Sequence, residues 1–238
     1  MPRTAKLYAG ITVLAGIATI TAAMLSWRTD DLTRFLCYFI IATLASGFKV
    51  RLPGITGTMS ANFLFVLIAI TTMSLSESLV IACTGTILQC IWRTKSRPGL
   101  VKVLFNVSSI AIAIAATSYW YHLEWFTTHG VNQPFVVLLA ACVYFVANTC
   151  PVAAIVCLTE HKPILKTWRE CYFWSFPYYV VGAALTATLA ILSHFVGWEA
   201  SLLIFPILYW IYRSYRLYLE RLEAEKRHVV DFEEMATV

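Results

Sequence analysis

The stretch RTKSRPGLVKVLFNVSSIAIAIAATSYWY, residues 93–121, contains the pattern that decides the fold of this chain. Basic residues come first, an apolar run follows from residue 101, and aromatic residues end it. An apolar run of about twenty residues can cross the hydrocarbon core of a bilayer as a helix, with Trp and Tyr at the interface. The stretch therefore predicts a membrane span whose basic end faces the cytoplasm.

The same pattern recurs along the whole chain. Eight apolar segments can be drawn, at residues 7–27, 32–48, 61–75, 77–93, 101–121, 134–158, 172–196 and 200–218. All of the 18 Lys and Arg residues except Arg28 and Arg34 lie in alternate gaps, at the chain ends, or at the ends of the segments that border them. Such a bias orients a multi-pass protein with its basic loops in the cytoplasm. We therefore expect an all-α polytopic membrane helix bundle of about eight transmembrane helices, with both termini cytoplasmic. The short third and fourth segments leave seven spans as the alternative.

The composition restricts the possible partners. The chain is 59% hydrophobic and 13% charged, whereas a soluble domain carries nearly twice that charge. Its net charge of +5 comes from basic residues beside apolar segments, which favours the lipid bilayer over nucleic acid as the partner. The seven cysteines form no CxxC pair, so neither a disulfide framework nor a zinc site is expected. We predict no metal and no cofactor.

The C-terminal part of the chain predicts a helix that leaves the membrane. Residues 212–234 contain no Pro or Gly and are rich in good helix formers. Apolar positions follow a heptad for about three repeats, the minimum for a coiled coil, with one break at Glu225. We therefore divide the chain into a transmembrane bundle at 1–218 and a cytoplasmic signalling helix at 219–238. The residues expected to pair two chains in a homodimer are Tyr215, Tyr218, Leu222, Val229 and Phe232. The alternative is an amphipathic helix on the membrane surface.

The loop from Lys49 to Ser60 is a candidate ligand site. Its glycines permit close approach of a ligand to the backbone, and Ser60 is a suitable N-cap for the following helix. A helix N-terminus beside basic residues can bind a phosphate or a lipid headgroup. The candidate anion-binding residues are Lys49, Arg51, Gly54, Gly57, Ser60 and Asn62. The alternative is an ordinary cytoplasmic turn with basic residues.

Polar residues within the apolar segments are a second candidate site. The main ones are Gln89, Asn106 and Asn148, and Asn62, Ser108, Ser109 and Thr149 are further members. These side chains either bond to neighbouring helices or converge on a small polar pocket in the bundle. Pro151 is expected to kink its helix, and Pro177 and Pro206 to do the same in the next two.

No catalytic signature is found in the sequence, and we expect a protein that is not an enzyme. There is no HExxH and no GxSxG motif. Charged residues fall at or near the ends of the apolar segments rather than at their centres, which argues against transport through a carboxylate relay.

Two blocks of this sequence resemble a known family. They are FKVRLPGITGTMSANF at residues 48–63 and LFNV at residues 104–107. Both are similar to the N-terminal membrane module of bacterial signalling proteins with HD-GYP phosphohydrolase or GGDEF diguanylate cyclase output domains. The tail YRLYLERLE at residues 215–223 and EEMA at residues 233–236 resemble the helix that joins such modules to their output. No HD dyad and no GGDEF motif is present, so we expect a module without its own output domain.

The resemblance implies a sensory or anchoring module in the bacterial inner membrane. Binding of a ligand or lipid in the bundle would shift the C-terminal helix, which would pass the change to a cytoplasmic signalling partner. A second hypothesis is a small-solute transporter or a substrate-binding membrane protein similar to energy-coupling-factor S components. A membrane-embedded transferase that acts on lipid is a third. The heptad tail favours the first, because a transporter has little use for it.

Overall fold

The computed structural model describes residues 2–51, 58–92, 98–160 and 162–236. It describes the side chains in these ranges other than those of residues 49–51, 58–59, 170–171, 174 and 222–236. By contacts the chain divides into two units, Met1–Leu202 and Leu203–Val238. The first unit is a helix bundle and the second is one long helix.

The described residues are almost entirely helical, which confirms the predicted all-α class. The bundle consists of α1 (Arg3–Leu25), α2 (Leu32–Ser46), α3 (Asn62–Thr72), α4 (Leu75–Ile91), α5 (Leu100–Tyr121), α6 (Glu124–Thr128), α7 (Gln133–Glu160), α8 (Ile164–Cys171) and α9 (Phe176–Val196). Short 3-10 helices cover Phe173–Ser175 and Trp198–Leu203. Two short strands, β1 (Lys49–Arg51) and β2 (Thr58–Ser60), pair antiparallel, with Lys49 opposite Ser60.

Within the described part of the chain, four helical stretches are long and apolar enough to cross a membrane. They are α1, the α5–α6 stretch Leu100–Thr128, α7 and α9. The helices α2, α3 and α4 are apolar but shorter. With 11 residues, α3 reaches only about 16 Å, roughly half the thickness of the hydrocarbon core. The count of eight spans therefore stays a prediction.

The shortest of these apolar helices, α3, lies in the core of the bundle. Nine of its 11 residues are buried, and it contacts α2, α4, α5 and α9. In contrast, α1 is largely exposed, and the side chain of Leu14 is 71% exposed. A helix that exposes Leu and Ile along most of its length suits a lipid-facing position. The bundle thus surrounds α3 with helices that can meet lipid.

A tight turn joins α3 to α4. The Ser74 hydroxyl accepts a hydrogen bond from the Glu77 N–H at 3.3 Å, and Glu77 Oε2 accepts one from the Ser74 N–H at 2.9 Å. These reciprocal bonds form a capping box, which satisfies free N–H groups at the start of α4. Ser76 also donates to the carbonyl oxygen of Ala23 at 2.7 Å, which ties the turn to α1.

The second unit is α10 (Ile204–Ala236), a single helix of 33 residues. The prediction of a continuous helix over residues 212–234 is confirmed. At 1.5 Å per residue, α10 is about 50 Å long. The division of the chain at residue 218 stays a prediction.

Pro151 lies within a helix as expected, whereas Pro177 and Pro206 do not lie in helix interiors. Pro151 lies inside α7, and α7 continues past it to Glu160. The predicted kinks at Pro177 and Pro206 are wrong, because Pro177 lies at the beginning of α9 and Pro206 is the third residue of α10. A proline in the first turn removes no intrahelical hydrogen bond, so the helix accepts it without distortion.

Candidate functional site

A cavity of about 430 Å³ lies inside the bundle. Residues of α3, α4, α5 and α7 and of the segment that leads into α9 form its wall. This volume is within the range of small-molecule sites in proteins. The polar residues that line it are Ser60, Asn62, Thr86, Gln89, Asn106, Ser109, Asn148, Thr149 and Ser175, together with four tyrosines, Tyr144, Tyr172, Tyr178 and Tyr179.

The cavity occupies one end of the bundle. Its lining residues lie in the first half of α3 and α5, in the second half of α4, near the middle of α7 and in the first turn of α9. The chain before α3, α5 and α9 is the part of the bundle sequence that is rich in Lys and Arg. The cavity therefore lies towards the end of the bundle at which α3, α5 and α9 begin.

Ser60 does not cap α3, contrary to the prediction. The N-cap is Ala61, and Ser60 lies one residue before it. The Ser60 hydroxyl is shared between the carbonyl oxygens of Ala45 and Ser46, at 3.2 and 3.3 Å, and it accepts from the Asn62 N–H at 3.3 Å. Its donor is thus used at the end of α2. Within the described part of the chain no side chain caps α3 from the N-cap position, and Asn62 is the first residue of the helix.

Two buried polar atoms, on residues that line the cavity, lack hydrogen-bond partners among the described residues. They are Oδ1 of Asn62 and Oγ of Ser109, whose residues are only 5% and 2% exposed. A buried polar atom without a partner costs about 1–3 kcal/mol. Such atoms are uncommon in native proteins and need an explanation, for example a bound molecule or water.

An aromatic cluster forms the apolar part of the wall. The ring of Phe63 lies 4.5 Å from that of Tyr179 and 5.1 Å from that of Tyr144, measured between centroids. Tyr178 packs against Phe63 at 5.6 Å and donates a hydrogen bond to the Ser60 carbonyl at 2.6 Å. These tilted contacts fix the rings in place. The apolar part of the wall is therefore rigid.

Further hydrogen bonds connect the wall to its surroundings. Asn148 Nδ2 donates to the hydroxyl of Tyr179 at 3.3 Å, and Asn106 Nδ2 donates to Sγ of Cys90 at 3.4 Å. Trp168 of α8 donates through Nε1 to the Thr149 hydroxyl at 2.9 Å. This bond ties α8 to the cavity wall.

The described part of the wall provides hydrogen-bonding groups and no ionised side chain. None of the described residues that line it is Asp, Glu, Lys, Arg or His. Groups of three or more His, Cys, Asp or Glu residues that could hold a metal are also not found within residues 2–51, 58–92, 98–160 and 162–236. The arrangement can bind and orient a molecule by amides, hydroxyls and aromatic rings.

The structure brings together one set of predicted site residues and leaves the others outside its description. Gln89, Asn106 and Asn148 line the cavity, as do Ser60 and Asn62 from the candidate anion site. The backbone of Lys49 and Arg51 lies in β1, but their side chains fall outside the described part, as do Gly54 and Gly57. Anion binding at this loop stays a prediction.

The predicted dimer residues lie on α10. The side chain of Tyr218 is 57% exposed, and Tyr215 is half-buried. The side chains of Leu222, Val229 and Phe232 fall outside the description. Pairing of two chains through this helix stays a prediction.

Sequence reasoning missed the tyrosines of the cavity wall. A signal for one of them is present, because Tyr144 precedes Asn148 by four residues and so shares its helix face. The pair Tyr178-Tyr179 directly after Pro177 at the start of an apolar segment is a weaker signal. Trp168 gave no signal, because its partner Thr149 lies on another helix.

Comparison with known proteins gives one match. The family model described as MASE9 matches residues 11–217. No curated protein and no solved structure matches the chain.

Proposed function

This chain belongs to the MASE9 family, and from that premise we propose that it is a non-catalytic sensory module of the bacterial inner membrane. MASE domains are membrane sensor modules of signalling proteins. The observation that supports a sensing role most directly is the polar cavity, whose described lining carries no charge and includes two residues with unpartnered buried atoms. We propose that a small molecule binds there.

The proposed orientation places the cavity towards the cytoplasm. Lys and Arg are concentrated in the chain before α3, α5 and α9, where the cavity lies, and the opposite end carries Asp30, Asp31, Glu124 and Glu199. Under the positive-inside rule the cavity end is the inner end. The module would then respond to a molecule that arrives from the cytoplasm or from the inner leaflet.

The proposed output is α10. It follows α9 in the chain after the short 3-10 helix Trp198–Leu203, and the first turn of α9 carries Tyr178 and Tyr179 on the cavity wall. A bound molecule that favours one position of α9 would also favour one position of the helix that follows it. A ligand shifts such an equilibrium only by its different affinity for the two states. The heptad of α10 would pair two chains and present the change to a cytoplasmic signalling partner.

Native mass spectrometry of the full chain, released from lipid nanodiscs, tests the dimeric output. We expect a dimer for the natural sequence and a monomer for the double variant Leu222→Asp and Val229→Asp, because a charge at two heptad core positions opposes pairing. The matched control is Leu219→Asp with Val230→Asp, which places the same charges off the heptad and should leave the dimer intact.

Two outcomes would overturn the proposal. If both double variants stay dimeric, the heptad of α10 is not the dimer interface. The proposed relay, in which α10 passes the ligand-induced change to a partner, is then wrong. If the natural chain is a monomer and accumulates a bound solute inside proteoliposomes, the small-solute transporter or S-component-like function replaces the sensor.

A further inference from the structure

The cavity wall also indicates the chemistry of its occupant. We infer that the cavity binds an uncharged molecule with a flat aromatic face and a hydrogen-bond donor, which it holds between Asn62 and Ser109. This inference rests on the proposed function in one respect, namely that the cavity is the sensing site. It adds the class of molecule that is sensed.

The absence of charge on the described wall is the first argument. An ion that leaves water for a site without a counter-charge pays a large desolvation penalty, whereas a neutral molecule needs only partners for its polar atoms. The described lining residues supply amides, hydroxyls and rings but no ionised group. A carboxylate or a phosphate is therefore disfavoured.

The two unpartnered atoms are the second argument. Oδ1 of Asn62 is an acceptor and requires an N–H or O–H donor, whereas the Ser109 hydroxyl can donate or accept. A molecule with acceptors alone, such as a quinone, would leave the Asn62 oxygen unpaired. A primary amide or a similar group could satisfy Asn62 with its N–H and Ser109 with its carbonyl.

The aromatic cluster is the third argument. Phe63, Tyr144 and Tyr179 are held in mutual contact, and all three line the cavity together with Val66 and Ile110. Aromatic rings stack or meet edge to face with favourable energy beyond the area that they bury. A planar ring therefore suits this surface better than a sugar or a flexible polyol.

Three probes of nearly the same shape separate these features. They are 2-naphthamide, N,N-dimethyl-2-naphthamide, which lacks the donor, and 2-naphthoate, which carries a charge. Binding to the full chain in phosphatidylcholine nanodiscs is measured by titration, with empty nanodiscs as the blank. We expect 2-naphthamide to bind at least tenfold more tightly than either analogue.

Variants on the wall then locate the contact. Asn62→Leu keeps the size of the side chain and removes its polar atoms, so 2-naphthamide should bind at least tenfold more weakly while the dimethyl analogue is unaffected. Ser109→Ala should weaken 2-naphthamide severalfold. Ser108→Ala is the matched control, because this neighbouring serine is not among the lining residues, and it should change binding less than twofold.

The outcomes distinguish this inference from the proposed function. Hydrogen exchange of the α10 backbone at residues 219–236 is followed with and without 2-naphthamide. Binding as expected without any change in this exchange supports the inference and overturns the relay. Equal binding of the three probes, stronger binding of 2-naphthoate, or no binding of any probe overturns the inference, and the relay then stands or fails by the dimer experiment alone.

Discussion

Ser108 and Ser109 are neighbours on α5, but they have different surroundings. Ser108 faces α1, where its hydroxyl donates a long hydrogen bond of 3.5 Å to the carbonyl of Val13. Gly16 of α1 lies so close that a Cβ at this position would overlap Cβ and Cα of Ser108. Ser109 lines the cavity, and its hydroxyl has no partner among the described residues.

The difference shows what makes a polar residue in an apolar helix structural or available to a ligand. Where a glycine lets two backbones approach, a serine is enclosed and bonds to a neighbouring carbonyl. Beside the cavity that Phe63, Tyr144 and Tyr179 help to line, the same side chain is buried without a partner among the described residues. The neighbouring helix therefore determines whether a serine has a structural role or is available to a ligand.

The largest effect is expected at the close contact between α1 and α5, where an added side-chain atom would push the two helices apart. Gly16→Ala should destabilise the protein by about 2–3 kcal/mol, because the new Cβ meets the backbone of α5. Gly10→Ala in the same helix is the control, since no atom lies within 4 Å of its new Cβ, and it should be neutral or stabilise by up to about 1 kcal/mol. Unfolding in mixed detergent, followed by circular dichroism, measures both. Equal stabilities would show that α1 does not pack closely on α5.

The two ends of α3 differ in the same way as Ser108 and Ser109. Its first residue, Asn62, borders the cavity, and its last turn leads into the capping box of Ser74 and Glu77. Ser74→Ala should cost about 1 kcal/mol, because it removes the cap of α4. Ser74→Thr retains a hydroxyl and should cost much less. The same unfolding assay decides, and equal losses in the two variants would exclude the cap as the cause.

The sequence predicts the helices of this molecule better than it predicts the cavity between them. The segment predicted at 101–121 appears as α5, Leu100–Tyr121, because an apolar run that follows Pro98 and Gly99 specifies a helix by itself. Helix α8 was not predicted, since eight residues of mixed polarity form no apolar run. Asn62, Asn106 and Asn148 were recognised as polar residues in apolar segments, which is a local property.

The geometry of the site could not be predicted for a physical reason. Whether Ser108 or Ser109 faces the cavity depends on where α1 packs, and that position depends on Gly16, more than ninety residues away in the chain. The aromatic wall likewise requires Phe63, Tyr144 and Tyr179 to meet from three helices. Such contacts are set by the tertiary arrangement.

The smallest expected effect tests the comparison of Ser108 with Ser109 most directly. The change in stability on replacement by alanine should have opposite signs at these two adjacent positions. Ser108→Ala should destabilise the protein by about 0.6 kcal/mol, the typical value of a hydrogen bond between membrane helices. Ser109→Ala should raise stability by up to about 1 kcal/mol in the absence of ligand, because it removes a buried hydroxyl without a partner. Paired measurements of unfolding in the same detergent mixture resolve the two signs. A loss of stability in both variants would mean that Ser109 bonds within the folded protein, and the cavity would then lack one of the two groups on which its proposed ligand depends.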